Sequence, residues 1–350
     1  MTINPSFPIE ATAVLKGLSY AAMRQVMLQQ AREHELQVVE NSECAVSIEV
    51  SAYGQYRLEP SEAGIRIQIS AARPDRLFML KDSFGDTLSL LLPDRAKELR
   101  WSDSATQPSR PPNLHFTTVQ SITPVGTAFL RVRIKADDLS SFQDDAIHFR
   151  LLLPAADCTD PEWPSLSENG STLWPKGEKA LHRPAYTTRW IDRNAGLMDF
   201  DIFLHDGGRV TNWVRRARAG DQLVIAGPGG GGIPDSSKVC IFADETAFPA
   251  VARILEALPV DGSGQVTLVA AGGEACGYPI TGPSGVTITW LTREEASDLS
   301  NRVLEAHAAH PDHFLWLASE KSDVTPVREA LKANKPTPGT SYIAAYWSKP

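Results

Sequence analysis

The sequence predicts three units in series: a small α+β unit over residues 1–101, an antiparallel β-barrel over 112–232, and an α/β unit with a parallel sheet over 236–350. Three observations carry this reading. Residues 102–113, SDSATQPSRPPN, are polar and proline-rich, a linker composition. Residues 114–232 hold successive strand-like runs separated by turn residues, the pattern of a barrel. From 236 onward strand-like and helix-like runs alternate, which implies parallel strands with helices on the sheet faces.

In the first unit, Ser19 is placed to cap a helix that carries Met23, Val26, Met27 and Gln30 at helical spacing. Short strand-like runs follow at 36–40, 44–50, 53–59 and 64–70. In the last of these, Ile65, Ile67 and Ile69 alternate as on a half-buried strand. Pro74 then opens a helix with Leu77, Phe78, Leu80, Phe84, Leu88 and Leu91 along it. No catalytic constellation appears here, and His34 reads as a solvated or packed histidine.

The middle unit contains HFTTVQSI, AFLRVRIK, AIHFRLLLP, AYTTRWI and LMDFDIFLH as strands. Between the third and fourth lies a stretch without periodicity, 154–182, holding Trp163 and Trp174. A loop of that length in a compact domain is commonly a lid or a binding loop. In the last unit KVCIFA (238–243), QVTLVAA (265–271), GVTITWL (285–291) and HFLWLAS (313–319) read as strands. Residues 246–258, 294–310 and 324–334 read as helices.

Composition narrows the function classes. Lys plus Arg number 34 against 42 Asp plus Glu, a net charge of −8, which argues against a nucleic-acid surface as the main business. Cys44, Cys158, Cys240 and Cys276 form no CxxC pair and read as free thiols of a reducing compartment. The start, MTINPSFPIE, lacks a signal-peptide pattern, and no apolar stretch approaches a membrane span. The expected location is cytoplasmic.

Three stretches carry chemistry. In HRPAYTTR (182–189), Tyr186 and Thr187 stand near a strand end between Arg183 and Arg189. They offer an aromatic face, a hydroxyl and cations, which a flavin dinucleotide needs; an ordinary strand with surface arginines also fits these eight residues. The second stretch starts with His205, Asp206, Gly207 and Gly208. Thr211, Asn212 and Trp213 then open a helix whose start suits a phosphate, although a capped connecting helix fits too. The third, DETAFPA (244–250), follows an apolar strand without a GxGxxG fingerprint, and Thr246 with the helix start beyond it suits a cofactor phosphate or adenine.

Other motifs read as structural. GPGGGG (227–232) has no following Lys-Ser or Lys-Thr and reads as an inter-domain hinge. His307, His310 and His313 are spaced by three, but Pro311 breaks the helix between the last two, so no metal site is expected. HExxH and GxSxG are both absent.

With these segments in place, residues 112–350 resemble the siderophore-interacting proteins, flavin-dependent ferric-siderophore reductases of the ferredoxin-reductase superfamily. The segments that carry the resemblance are RPAYTTR, LHDGGRVTNWVRRARAGD, AGP, DETAFPA, WLASE (316–320) and AAYWSKP (344–350), in that order. Residues 10–98 resemble a small domain of unknown function that is sometimes found beside such reductases. The resemblance implies FAD held by Arg183, Tyr186, Thr187, Arg189, His205, Gly208, Thr211, Asn212 and Trp213. It implies NADPH or NADH approaching Asp244, Glu245, Thr246, Pro249, Ala318, Ser319 and Glu320. A ferric siderophore or ferric chelate is the implied acceptor, with Arg150 as the cation that meets it. Hydride would pass from nicotinamide to flavin and single electrons to iron, with no side chain acting as acid or base.

The chain departs from the family pattern at four places. Pro184 stands where the family has its arginine, and Arg183, one residue back, needs a bulge to regain that face. Ser319 replaces a glycine, Arg209-Val210-Thr211 replaces Pro-Ala-Ser, and the chain ends soon after Tyr346-Trp347. Two other functions are therefore weighed: a siderophore- or flavin-binding protein without turnover, and an FAD reductase for another acceptor.

Overall fold

The computed structural model describes residues 6–33, 36–50, 53–103, 110–167, 170–333 and 339–349. His34, half of the 102–113 linker and Asn334 lie outside them. The chain divides into two compact units, one of residues 1–114 with 157–181, the other of 115–156 with 182–350.

The first unit begins with strand β1 (Ile9–Lys16), helix α1 (Tyr20–Glu33), β2 (Gln37–Asn41), β3 (Val46–Val50), β4 (Gly54–Ser61) and β5 (Gly64–Ala71). Helices α2 (Pro74–Leu91) and α3 (Pro93–Ala96) follow. The strands form an antiparallel sheet in the order β1-β5-β4-β3-β2. Ile65, Ile67 and Ile69 are fully buried with Leu58 and Ile48, beneath Met23 and Met27 of α1 and Leu77, Leu80, Phe84 and Leu88 of α2. Alternation on the strand and helical spacing on the cover thus build one core. Leu91, expected on the same stripe, is 47% exposed, because α2 ends there.

The second unit opens with β6 (Leu114–Val125), β7 (Phe129–Ala136) and β8 (His148–Leu152). The chain then leaves this sheet. Residues 157–181, with the short strands β9 (Ser165–Leu166) and β10 (Thr172–Leu173), cluster with the first unit, where Thr172 N–H donates to Asp82 at 3.0 Å. It returns as β11 (Ala185–Thr187), β12 (Trp190–Asp192), β13 (Leu197–Phe203), α4 (Arg209–Val214) and β14 (Gln222–Gly229). The sheet order is β11-β8-β14-β6-β7-β13-β12. Only Thr188 and Arg189 separate its two outermost strands along the chain. Thr188 N–H bonds Ile147 O beside one edge, and Arg189 N–H bonds Asp199 O beside the other.

Along β13 the alternation puts Met198, Phe200 and Ile202 in the core and turns Asp199 and Asp201 to the opposite face. Both carboxylates are buried, and each is gripped by a two-pronged guanidinium from the facing register position on β7: Arg133 on Asp199, Arg131 on Asp201, at 2.7–2.8 Å. Such forked pairing is what allows an acid inside a sheet.

The rest of the unit is β15 (Lys238–Asp244), α5 (Phe248–Ala257), β16 (Ser263–Val269), β17 (Gly285–Leu291), α6 (Leu299–Ala309), β18 (Phe314–Glu320), α7 (Lys321–Ala333) and β19 (Ser341–Trp347). These strands are all parallel, in the order β17-β16-β15-β18-β19. The near-continuous burial of β15 and β18 is that of central strands covered on both faces. Among the described residues no helix is long and apolar enough to cross a membrane.

The glycine run 227–232 is packed rather than a hinge. A Cβ on Gly230 would stand 2.7 Å from the His148 ring, one on Gly231 would stand 2.6 Å from the Tyr342 ring, and one on Gly232 would meet the backbone at Asp144 and Asp145. Glycine is needed here for close approach, and Gly230 also has φ +71°. Gly230→Ala is therefore expected to cost about 2–4 kcal/mol, the sum of overpacking and left-handed strain, as read by urea unfolding.

Candidate functional site

The order of the parallel sheet locates one half of the site. Strands β16 and β17 lie on one side of β15 and strands β18 and β19 on the other, so the winding reverses between β15 and β18. Ligands of open α/β sheets bind at the carboxyl ends of the strands that flank such a reversal. Those ends are Asp244 on β15 and Ala318, Ser319 and Glu320 on β18, with Thr246 and Pro249 in the turn and helix that follow β15. The sequence-predicted dinucleotide residues thus gather at one place.

Asp244 is fully buried and takes four hydrogen bonds. Thr246 N–H (2.9 Å) and Thr246 Oγ1 (2.5 Å) donate to Oδ1; Trp347 Nε1 (2.6 Å) and Ser319 Oγ (3.3 Å) reach Oδ2. Ser319 does not stand out into a cofactor path: it is buried, and its hydroxyl turns inward to Asp244 and to Asp323 at 2.8 Å. Glu245 also turns inward. It accepts from Ala271 N–H at 2.8 Å and Arg293 at 2.5 Å, and burial raises its pKa. Glu245 thus fastens the end of β16 to Arg293, whose guanidinium lies 5.7 Å from the Trp347 ring centre. Glu320 takes hydrogen bonds from Ser322 and from Lys349 N–H, which lower its pKa.

The other half lies on β11. Tyr186 packs edge-on against Phe200 at 5.7 Å, its ring half-buried, and burial raises its pKa. Among the described residues its hydroxyl has no hydrogen-bond partner, which leaves it available to a ligand. Thr187 is buried beside it. The register is unbroken from Leu153↔His182 to Thr187↔His148, so no bulge returns Arg183 to the Tyr186 face. Arg183 is exposed on the opposite face, where its carbonyl accepts from Arg150 at 2.8 Å. His182 does share the Tyr186 face. Its pKa is lowered by burial and by the charge of Arg209, the first residue of α4. The charge of Arg209 thus reaches His182; the sequence reading passed over this residue as a departure from the family pattern. Arg189 is engaged elsewhere, forked on Glu256 of α5 at 2.5 and 2.7 Å.

The turn before α4 is built around a glycine. A Cβ on Gly208 would stand 2.6 Å from the His205 ring. Thr211 is buried, and its Oγ1 accepts from His205 N–H at 3.3 Å. Asn212 is exposed, whereas Trp213 packs partly into the sheet core.

The two halves meet through His148, Arg253, Tyr278 and Tyr342, which the motif reading did not single out, and through Tyr346 and Trp316 of segments that it did. His148 of β8 is buried between Thr187 Oγ1 (3.2 Å from Nδ1) and the Tyr346 hydroxyl of β19 (3.2 Å from Nε2). Tyr342 stacks on the same imidazole, and Trp316 stacks on Tyr342 at 5.5 Å. Arg253 of α5 donates to Thr188 O and to Asp144, both at 2.6 Å. Tyr278 donates to Asp201 at 2.5 Å. A family segment on β11 is thus joined to the C-terminal AAYWSKP segment, and Trp347 of that segment reaches Asp244.

Burial and the Arg253 charge lower the His148 pKa to about 4, against 6.5 in an open chain. The folded state then binds fewer protons than the unfolded one between these values. Stability contributed by neutral His148 is full above pH 6.5 and is lost as pH falls toward 4, by about 3 kcal/mol in all. Urea unfolding at pH 7 and at pH 4.5 is expected to show this loss in the parent protein and a smaller one in His148→Gln.

The siderophore-interacting FAD-binding domain family matches residues 118–232, and the siderophore-interacting protein family matches 236–350. The NADPH-dependent ferric-chelate reductase of Escherichia coli strain K12 is 28% identical over 236 residues, which cover 66% of this chain and 91% of that one. The ferric vibriobactin reductase ViuB of Vibrio cholerae is 29% identical over 178 residues, 49% of this chain and 63% of that one. A siderophore utilization protein from T. fusca superposes with a TM-score of 0.58 at 26% identity, covering 69% of this chain and 95% of that structure. The siderophore-interacting protein SipS of Aeromonas hydrophila has the same fold, with a TM-score of 0.56 at 23% identity over 67% of this chain and 92% of that one. The residues present fit a flavin: a half-buried tyrosine whose hydroxyl has no partner among the described residues, a buried threonine beside it, and a glycine-closed turn. Two adjoining family matches, the order of the motif segments and the fold together make this chain a member of the siderophore-interacting proteins, with their FAD-binding domain.

Proposed function

We propose that this chain is an NAD(P)H-dependent, FAD-containing reductase of ferric siderophores, working in the cytoplasm. The observation that carries the reading is the junction of Thr187, His148 and Tyr346 beside Trp347 and Asp244. It supports a flavin ring and a nicotinamide at one place. The activities named for the Escherichia coli and Vibrio cholerae relatives support the same reaction.

In this reading the seven-stranded sheet closes as a barrel through the Thr188–Arg189 link, and Tyr186 and Thr187 line the flavin ring at its rim. The turn at His205–Gly208 and the helix start at Thr211–Trp213 receive the pyrophosphate, and Arg209 supplies the cation that Arg183 cannot. Asp244 does not touch phosphate; it fixes Thr246, Ser319 and Trp347 so that the strand ends accept NADPH or NADH. Arg150, exposed on β8, meets the anionic ferric chelate. FAD, when bound, accepts hydride and passes single electrons to iron. The side chains orient the two donors and keep water out. Fe(II) is held more weakly than Fe(III) by hard oxygen donors, so reduction releases the metal with the chelator intact.

Purified protein incubated with FAD and desalted is expected to keep a visible flavin spectrum. Loss of all flavin on desalting would overturn the reading.

A further inference from the structure

The first unit has no task in the reaction above, and neither does the 157–181 insert that clusters with it. Helix α2 is built to be covered twice. Leu77, Leu80, Phe84 and Leu88 belong to the core beneath it. Phe78 and Gly85 are buried as well, yet Phe78 stands outside that core cluster. Positions 78, 82 and 85 share one face of a helix, so they form a second stripe beside the first. The insert meets this stripe. Thr172 N–H donates to Asp82 at 3.0 Å, and a Cβ on Gly85 would stand 3.4 Å from Ser171 Oγ.

The insert is shaped to be held. Ser167 N–H and Ser167 Oγ both donate to Ser171 O at 3.0 Å, and Ser171 N–H donates to Ser167 Oγ at 3.1 Å, which fixes the turn that carries Ser171 and Thr172. Lys179 Nζ reaches back to the carbonyl and the carboxylate of Asp160 and ties the two arms together. The points of departure and return are Leu153 and His182, which exchange backbone hydrogen bonds at 2.8 and 2.9 Å. Arg150 is three ladder steps from that bridge, about 10 Å along β8. Its guanidinium donates to the carbonyl of Arg183, the residue after His182.

We propose, on the reading that a ferric chelate meets Arg150, that the first unit is a mount for the 157–181 insert and through it sets the affinity for the acceptor. An insert released from α2 stays tied at both ends near Arg150. A free chain there excludes volume and must be ordered again when a bulky chelate binds. It also carries Asp157, Asp160, Glu162 and Glu178, whose carboxylates compete with an anionic chelate for a guanidinium. A mounted insert has lost that freedom on folding, so neither cost falls on the chelate. A small uncharged acceptor needs neither the space nor Arg150, and its reduction is indifferent to the mount.

The test uses the full chain loaded with FAD, as parent, Gly85→Ala, Gly85→Leu and Asp82→Ala. Leucine is a better helix former than glycine, so α2 itself is not weakened. Alanine fits in the space before Ser171, whereas the longer leucine must push the insert off. Trypsin cleavage after Lys176 reads release of the insert. NADPH-driven reduction of ferric citrate and of menadione, a small neutral quinone, reads its consequence. Gly85→Leu is expected to speed the cleavage about 10-fold. It is expected to raise the KM for ferric citrate about 5-fold or more, with kcat and the menadione rate unchanged. Asp82→Ala shifts both readouts the same way by less, and Gly85→Ala matches the parent. If the parent holds no FAD or does not reduce ferric citrate, the proposed function fails. If the parent does both and Gly85→Leu is cut faster with an unchanged or lower KM, the mount alone is refuted. It is equally refuted if neither Gly85→Leu nor Asp82→Ala is cut faster than the parent. Should Gly85→Leu fail to fold, Asp82→Ala decides the matter on the same two readouts.

Discussion

Asp244→Ala is expected to destabilise the second unit by about 3–5 kcal/mol, a fall in melting temperature on the order of 10 °C. The carboxylate is fully buried and takes bonds from Thr246, Trp347 and Ser319. Alanine leaves the Thr246 N–H and the Trp347 indole N–H without acceptors, and each buried orphan costs about 1–3 kcal/mol. Asp244→Asn keeps one oxygen and is expected to lose less than half as much. Calorimetry of the three proteins checks the ranking. A fall of under 1 kcal/mol in the alanine variant would mean that Asp244 does not organise the strand ends, and the proposed seat for NAD(P)H would lose its support.

The second large effect concerns Tyr186. Its ring is wedged against Phe200, and its hydroxyl has no hydrogen-bond partner among the described residues. If that face meets the flavin, Tyr186→Ala removes a stacked ring and a hydrogen bond and is expected to weaken FAD binding by about 10–100-fold, equivalent to about 1.5–3 kcal/mol. Tyr186→Phe is expected to lose only the hydroxyl contribution. Fluorescence titration of cofactor-free protein with FAD reads both. An unchanged affinity in the alanine variant would move the ring elsewhere.

Much of the fold was legible because it rests on local periodicity. Ile65, Ile67 and Ile69 announce a strand face, and all three are buried. The change from strand runs to strand–helix alternation announces the parallel sheet, and DETAFPA falls at the end of its central strand. What stayed hidden depends on what lies across from a residue. The glycine run at 227–232 has the composition of a hinge, and only the His148 and Tyr342 rings opposite it show that glycine serves close packing. Arg189 has the look of an anion ligand until Glu256, 67 positions away, is seen to claim it. His148 and Tyr346 are 198 residues apart, and no spacing rule pairs a mid-chain strand with the last one. Residues 157–181 cluster with the first unit although the chain order sets them amid the flavin-binding segments.

The strand register was partly legible. Sequence alone shows that Arg183 is one position off the family arginine, and the unbroken β8–β11 register turns that offset into a change of face. Arg209, whose charge reaches His182, stands at a position where an arginine in place of proline first looks like a defect, and only the structure links the two.

The central claim is that this chain passes reducing equivalents from NAD(P)H through FAD to siderophore-bound iron. Anaerobic titration tests it most directly: FAD-loaded protein receives NADPH, then a ferric siderophore, with ferrozine present to capture Fe(II). The account predicts that the flavin band bleaches with one equivalent of NADPH and returns as two equivalents of Fe(II) appear. A flavin band that NADPH and NADH both leave unbleached, or a bleached flavin that ferric siderophore does not recolour, would contradict it.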